Sequence, residues 1–269
     1  MPTEANIEPG GRSADGVPGH VTRTLRTLEL LAERSMPTDA LAEQLGVHRK
    51  TVARMLEAMR QQDWVRQDPT DPSRYRLTVK ILTVAGSVVD RMDLVQVGLR
   101  YISSLRDATG ESSHLSIPAD GYAVHIAEEA SRQPLAVASR LGERVPLHAS
   151  AVGKALAAFL PHELDLAIAR GLPQLTENTI TDPAELQNAL ALVRKKGFAV
   201  DVAEISYNTC CIAAPIFDQS GHAIAAIGVS GPASRVTRDR VEDIGRTVTD
   251  HAQSISAELG YTGRAKAAG

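Results

Sequence analysis

Residues 37–56 read PTDALAEQLGVHRKTVARML, and the spacing of their apolar, small and basic residues is that of two short helices joined by a tight turn. We expect Thr38 to cap the N-terminus of the first helix, with Leu41 and Leu45 facing inward. Gly46 then supplies the turn, because glycine adopts backbone angles that other residues resist. The stretch therefore predicts a helix-turn-helix.

The second helix of this pair should begin near His48 and present a basic outer face. At about 100° per residue, its apolar residues fall on one inward face, made of Val52, Met55, Leu56 and Met59. From His48 to Arg60 there are four Lys or Arg residues and one acid, Glu57. A recognition helix presents such groups to the major groove of DNA, and the candidates here are His48, Arg49, Lys50, Thr51 and Arg54. The alternative is a solvated basic face on an ordinary surface helix.

Two short strand-like runs follow at 64–66 and 74–77, around a turn rich in Pro and Asp. They predict a wing whose arginines contact backbone phosphates without reading sequence, namely Arg66, Arg74 and Arg76. Upstream, residues 21–34 supply a third helix, with leucines at helical spacing at Leu25, Leu28 and Leu31. We therefore expect a winged helix-turn-helix DNA-binding domain at 20–80.

Charge and composition limit the class of protein further. Residues 20–80 hold eleven Lys or Arg and eight Asp or Glu, although the whole chain carries a formal charge of −3. DNA affinity should therefore be local to this domain and strongly salt-dependent. No apolar run approaches the roughly 20 residues that span a bilayer, and residues 1–19 are polar, so we expect a disordered leader, no membrane contact and a cytoplasmic protein. The two cysteines, Cys210 and Cys211, are adjacent, which argues against a disulfide framework.

The rest of the chain predicts a linker helix at 81–93, a second domain at 94–260 and a flexible tail at 261–269. Strand patterns alternate with helical ones: a helix at 94–109, strands at 113–117, 122–128 and 135–139, helices at 150–159, 161–170 and 183–196, strands at 198–202, 211–217 and 223–230, and a closing helix at 237–259. This order is typical of an α+β fold in which one antiparallel sheet is flanked by helices. Such a domain has a natural pocket between the sheet and the loops.

Four blocks of the sequence carry a resemblance to a known family. They are LAEQLGVHRKTVARML at 41–56, VPLHASAVGKALAAFL at 145–160, GFAVDVAE at 197–204 and CIAAPIFDQSGHAIAAIGVSGP at 211–232. In content, order and spacing these blocks resemble the IclR-type bacterial transcriptional regulators, and the likeness runs from about His20 to Leu259.

The resemblance implies a linker helix and a GAF-like effector-binding domain behind the DNA-binding domain, with assembly into homodimers and, in many members, dimers of dimers. It also implies a small organic acid as effector and a catabolic operon as target. Carried over block by block, the effector-binding candidates are Ala151, Val152, Gly153, Asp201, Cys211, Gly228 and Ser230, with Leu135 as a weaker apolar candidate. Some relatives have serine where this chain has Gly228, and we expect the glycine to make room for the ligand.

A carboxylate effector is also consistent with the residues themselves. At the start of the helix near 151–153, a carboxylate would meet unpaired backbone N–H groups and the positive end of the helix dipole. Asp201, Cys211 and Ser230 would then bond hydroxyl or keto groups elsewhere on the ligand. We expect no cofactor and no metal, because the histidines lack the short spacing of metal ligands and there is no C-x-x-C motif.

An enzyme is the main alternative class. Cys211, a histidine and Asp201 could form a nucleophile and its base, which would make the chain a cysteine-dependent small-molecule enzyme on a GAF-like domain; the candidate histidines are His114, His125 and His148. However, no characteristic signature surrounds the cysteine, so we expect no catalytic residue. A scaffold that binds a protein partner but no DNA is the third class. We expect a ligand-responsive DNA-binding regulator.

Overall fold

The computed structural model describes residues 19–89, 93–137 and 139–263. The chain divides into two units between Val88 and Val89. The predicted leader up to residue 18 and the predicted tail from residue 264 lie outside the described residues, as do residues 90–92 at the end of the predicted linker helix.

The N-terminal unit is a helical core with a small three-stranded sheet. Its elements are α1 (Gly19–Glu33), β1 (Met36–Pro37), α2 (Thr38–Leu45), α3 (Arg49–Gln61), β2 (Val65–Gln67), β3 (Arg74–Leu77) and α4 (Lys80–Val89). The sheet is antiparallel in the order β1-β3-β2, so the wing is confirmed and gains an edge strand, β1, that the sequence pattern did not predict. The predicted inward face of α3 is buried, and together with Leu41 it packs against Leu30 and Leu31 of α1.

Two local predictions in this unit were wrong. Thr38 is the first residue of α2, whose N-cap is Pro37, so no side chain caps that helix. Leu25 is 55% exposed, because the buried side of α1 runs through Thr27, Leu30 and Leu31, and a residue two positions before Thr27 lies about 200° around the helix. The turn itself is as expected, with Gly46 in the left-handed region at φ 62°.

The C-terminal unit is an α+β fold, as predicted. Its elements are α5 (Asp93–Thr109), β4 (Ser112–Ala119), β5 (Tyr122–Glu129), β6 (Arg144–Pro146), α6 (Ala151–Ala157), α7 (Pro161–Ala169), α8 (Pro183–Lys196), β7 (Ala199–Val202), β8 (Thr209–Phe217), β9 (Ala223–Pro232) and α9 (Val241–Glu258). The strands form one six-stranded antiparallel sheet in the order β6-β5-β4-β9-β8-β7. Helices α5 and α9 cover one face of this sheet, and α6, with α7 and α8 behind it, covers the other.

The strand predicted at 135–139 is absent from the described part of that segment, and the third strand of the meander is β6 instead. The segment between β5 and β6 is held by turns and side chains: the Ser139 N–H donates to the Glu128 carboxylate, and Gly142, at φ 81°, donates its N–H to the His125 carbonyl. Leu135 is 62% exposed, so its apolar side chain does not anchor a strand. Ala138 lies outside the described residues.

No helix in the described ranges combines the length and the apolar character needed to cross a membrane.

Candidate functional site

The basic face of α3 is exposed in the N-terminal unit. His48 is the N-cap, and its Nδ1 accepts from the Lys50 N–H at 3.2 Å, so the helix begins with a side-chain bond that fixes its first turn. Lys50 and Arg54 are exposed and make no ion pair with any acidic residue that the structure describes. Arg49 is also exposed, but its Nε lies 2.9 Å from the Asp39 carboxylate. Lys50, Thr51 and Arg54 are therefore free to contact an anion, whereas Arg49 must first leave Asp39.

The three wing arginines have three different environments. Arg66 on β2 and Arg76 on β3 are directly opposite each other in the antiparallel register. Two like charges in that position are unfavourable without an anionic partner, which fits a phosphate-binding surface. Arg74 differs, because its guanidinium donates to the hydroxyl and the carbonyl of Ser35. These bonds tie β3 to the end of α1, and the phosphate role of Arg74 stays a prediction.

A cavity of about 240 Å³ lies in the C-terminal unit, between the sheet, the start of α6 and the loop before β6. Its wall is formed by His114, His125, Val137, Ser139, Glu143, Val145, Ser150, Ala151, Val152, Asp201, Ile205, Ser206, Thr209, Cys211 and Ser230. Five of the eight predicted effector residues belong to this wall: Ala151, Val152, Asp201, Cys211 and Ser230.

Three predicted effector residues are not part of the wall. Leu135 borders a separate groove beside residues 232–234. Gly153 donates its N–H to the Ser150 hydroxyl at 2.9 Å, so one of the expected free amides is already used by the helix cap. A Cβ at Gly228 would lie 2.9 Å from the Ala213 Cβ and 3.2 Å from the His114 Nε2. The space at Gly228 is therefore filled by protein, and the prediction that it makes room for the ligand was wrong.

The strand register brings three of the wall residues into one row. Asp201 on β7 is opposite Cys211 on β8, and Cys211 is opposite Ser230 on β9. Because neighbouring side chains on a strand point to opposite faces, Cys210 lies in the core under α5 and α9. Burial raises the pKa of the Cys210 thiol to about 11, and burial with the nearby Asp201 carboxyl raises the pKa of the Cys211 thiol further.

A pair of histidines forms the other end of the cavity floor. His114 on β4 and His125 on β5 contact each other edge to face, with ring centroids 4.6 Å apart. The His125 Nδ1 is 2.8 Å from the Ser116 hydroxyl, whereas the His114 Nδ1 has no partner. Burial lowers the pKa of both imidazoles, most strongly for His114, so both are neutral at pH 7. The sequence raised these histidines as catalytic candidates and missed them as residues of the cavity wall, since their alignment depends on the strand register.

Unpaired buried polar atoms are concentrated at this cavity. In the described part of the chain five such side-chain atoms occur, and three of them belong to the cavity wall: His114 Nδ1, Ser139 Oγ and Asp201 Oδ2. The other two are Arg76 Nε in the wing and Glu204 Oε2 beside Asp201. Because buried polar groups are nearly always hydrogen-bonded in folded proteins, this concentration indicates a site that a polar ligand completes.

A buried ion pair supports the cavity from behind. Lys154 of α6 binds the Glu204 carboxylate, and the two side chains are 4% and 10% exposed. Asp201 lies next to them and accepts the Glu204 N–H at 2.7 Å. Burial raises the pKa of both Asp201 and Glu204, while the Lys154 ammonium opposes that rise. The single Lys154 ammonium thus stabilises the charged forms of two carboxyl groups.

The arrangement does not favour nucleophilic catalysis. A reactive cysteine needs a lowered pKa, and the pKa of Cys211 is raised. His148, the third candidate base, bonds the Pro173 carbonyl at 3.1 Å and has a structural role. Within the described ranges, no group of three or more His, Cys, Asp or Glu side chains is arranged to hold a metal ion.

Two family models match this chain, one over its N-terminal part and one over its C-terminal part. Residues 86–257 match the family described as "Bacterial transcriptional regulator IclR C-terminal", and residues 18–99 match "HVO_A0261 N-terminal domain". The chain is 30% identical to the acetate operon repressor of Salmonella typhimurium over 97% of its own length and 98% of the relative's. It is 31% identical to the transcriptional repressor IclR of Escherichia coli over 92% of each chain.

A solved structure shares the fold. An IclR homologue from Microbacterium hydrocarbonoxydans, crystallised in complex with 4-hydroxybenzoate, superposes with a TM-score of 0.77 at 22% identity, covering 90% of this chain and 98% of that one.

Proposed function

This chain belongs to the IclR family of bacterial transcriptional regulators and is a ligand-responsive DNA-binding regulator, not an enzyme. From that premise we propose which residues bind the operator and which bind the effector. The N-terminal unit binds an operator through α3 and the wing. The cavity on the C-terminal sheet binds a small carboxylate effector. The regulated genes form a catabolic operon, and effector binding changes the affinity for the operator.

The observation that carries the effector proposal is the group of three unpaired polar atoms in one cavity, on His114, Ser139 and Asp201. A volume of about 240 Å³ is below the roughly 300–1,000 Å³ of sites for drug-sized ligands, so the effector is a small metabolite. The row of Asp201, Cys211 and Ser230 suits a hydroxyl or keto group. The carboxylate belongs at the other end, near the histidines and the start of α6. The 4-hydroxybenzoate in the solved relative has such opposite polar ends.

On the DNA side, we assign base contacts to Lys50, Thr51 and Arg54, and phosphate contacts to Arg66 and Arg76. His48 and Arg49 are secondary, since His48 caps α3 and Arg49 is held by Asp39. The free side chains in the first turns of α3 support this assignment, because the N-terminal part of a recognition helix meets the base edges.

A homodimer is part of this proposal. Apolar side chains are exposed at and near α4, with Val79 at 72%, Leu82 at 64% and Val84 at 46%. A second copy that covers this face would bring two recognition helices to the two half-sites of a pseudo-palindrome. Light scattering after gel filtration should give a dimer or a dimer of dimers. Leu82→Glu should lower the mass of the assembly. Leu192→Glu should leave that mass unchanged; it alters a leucine on α8 that is 58% exposed.

The DNA assignment is tested by fluorescence anisotropy with the intergenic DNA upstream of the gene. Arg54→Ala should weaken binding about 5- to 150-fold, the range for losing one base contact. Lys195→Ala removes an exposed cation from the last turn of α8 and should leave the affinity unchanged. Equal affinities of wild type and Arg54→Ala would mean that α3 does not face the groove.

The effector assignment is tested on the same DNA with a panel of small acids: acetate, 3-hydroxypropionate, succinate, benzoate and 4-hydroxybenzoate. An acid that binds should shift the operator affinity by a coupling of about 1–3 kcal/mol. Ser230→Ala should reduce that shift and preserve the DNA affinity without effector. If Ser230→Ala responds to the acid like wild type, the ligand does not reach this row.

A further inference from the structure

The effector cavity has titratable groups but no fixed positive charge on its wall. Among the described residues that form the wall, none is Lys or Arg, while Glu143 and Asp201 are acids. Lys154, the nearest buried cation, is paired with Glu204 behind the wall. Burying a carboxylate without a counter-charge is costly, so a carboxylate effector needs positive charge from another source.

His114 can supply that charge only by taking up a proton when the ligand binds, since burial and the neighbouring His125 lower the pKa of its imidazole. It is 3% exposed, belongs to the cavity wall, and leaves its Nδ1 unpaired. The His114 ring packs against Gly228 on the neighbouring strand, where a Cβ would lie only 3.2 Å from the His114 Nε2. The edge-to-face contact with His125 holds the ring from the other side.

None of the charged groups around His114 that the structure describes binds its Nδ1, which is buried and unpaired. On β5, Glu128 is opposite His114 in the register, and its carboxylate accepts the Ser139 N–H. Before β6, the Glu143 carboxylate accepts the Arg140 N–H. On β7, Asp201 accepts the Glu204 N–H through one oxygen and leaves the other unpaired, and beyond it Lys154 binds Glu204. On β8 and β9 the facing groups are the Cys211 thiol and the Ser230 hydroxyl, both neutral.

We propose that this cavity binds its carboxylate effector together with one proton, which the buffer acid in solution gives up and which becomes the second ring proton of His114, so that the ligand carboxylate pairs with an imidazolium. The inference rests on the proposed effector class and adds a regulatory property to it. Because the proton enters with the ligand, affinity for the acid rises as the pH falls. The regulator therefore responds at one site both to the concentration of the effector and to the pH.

Calorimetry measures the proton directly. The tightest-binding acid of the panel above is titrated at pH 7.5 in phosphate and in Tris buffer, whose ionisation heats differ, and the difference gives the number of protons taken up. We expect about one, and a Kd that rises up to about tenfold from pH 7 to pH 8, as linkage requires for one proton. The matched amide of the same acid, which carries no charge, should show neither effect.

Two histidine variants locate the proton. His114→Asn keeps a hydrogen-bonding group near the position of Nδ1 but cannot titrate, so it should bind the acid more weakly and with no pH dependence. His222→Asn alters a histidine whose side chain is 79% exposed and outside the cavity wall, and it should behave as wild type. A pH dependence that survives in His114→Asn would overturn the role of His114. If that variant does not fold, the wild-type proton count still decides whether a proton enters.

The outcomes separate this inference from the proposed function. Binding of an acid without proton uptake would overturn the inference and leave the carboxylate effector standing. Binding of 4-hydroxybenzylamine or of a neutral amide, with no acid of the panel binding, would overturn both.

Discussion

Replacing Lys154 by methionine should destabilise the C-terminal unit, and the loss should grow with pH. Lys154 is buried and binds Glu204, and Asp201 lies beside this pair. Without the ammonium, two buried carboxyl groups face each other with no cation. Methionine has nearly the same length and suits the apolar surroundings of α6, so the change tests charge more than volume.

The magnitude follows from the cost of breaking a buried ion pair, about 3–5 kcal/mol. Protonation of Glu204 limits that cost at low pH. Loss of Lys154 raises the folded pKa of Glu204 further above its unfolded value, so the stability is retained below the unfolded pKa and falls as the pH rises through the folded pKa. We expect a loss of about 3–5 kcal/mol at pH 8, equal to a Tm decrease of about 6–20 °C for a unit of this size, and a smaller loss at pH 5.

Thermal unfolding of the full chain, followed by circular dichroism at pH 5 and pH 8, measures both values. The double variant Lys154→Met/Glu204→Gln should recover most of the stability at pH 8, because it removes the unpaired charge. Lys195→Met, on the exposed end of α8, is the control for loss of a lysine. A loss of the same size at both pH values, or no recovery in the double variant, would refute the charge argument.

The remaining predictions concern single contacts described above. Arg74→Ala should lower the Tm of the N-terminal unit, because its bonds to Ser35 are lost. Arg66→Ala should raise the Tm slightly, because it removes the repulsion with Arg76, and should reduce the salt slope of DNA binding by about one. Asp201→Asn should raise stability more at pH 8 than at pH 5, since burial raises the pKa of Asp201 and the cost of its charge grows as the pH rises through the folded pKa; urea unfolding at both pH values checks this. Gly46→Ala should cost about 1–2 kcal/mol in urea unfolding, because Gly46 is left-handed at φ 62°.

Periodic patterns predicted most of the fold. The helix pair, the wing, the α+β class and the buried face of α3 follow from spacings of about 3.6 or 2 residues, and these spacings act over a single element. The failures occurred where long-range packing decides. Leu25 has the right spacing for a core leucine, but the packing of α1 selects another side of the helix. The apolar residues at 135–139 suggested a strand, but turns and the Glu128 carboxylate hold that segment.

The cavity was predicted only in part, because long-range packing also decides which side chains meet there. Asp201, Cys211 and Ser230 were found because family blocks contain them. The register that places them in one row depends on the pairing of three strands, and no single segment indicates it. His114 and His125 are eleven residues apart on two strands, and nothing local indicates that their rings meet. Lys154 and its buried partner Glu204 lie in two different family blocks, 50 residues apart, and neither block by itself indicates that they meet.

The close fit of Gly228 restricts the order in which this regulator can change its ligand in evolution. A side chain at position 228 meets the Ala213 Cβ, the Ile212 carbonyl oxygen and the His114 ring, all within 3.2 Å. The contacts with Ala213 and Ile212 are shorter than real Cβ atoms show, so β8 has to move before any side chain fits at 228, whereas the His114 ring needs to shift by only a few tenths of an ångström. A change of ligand that requires a hydroxyl at 228 therefore depends on an earlier substitution on β8, and the effect of a mutation at 228 depends on the residue at 213.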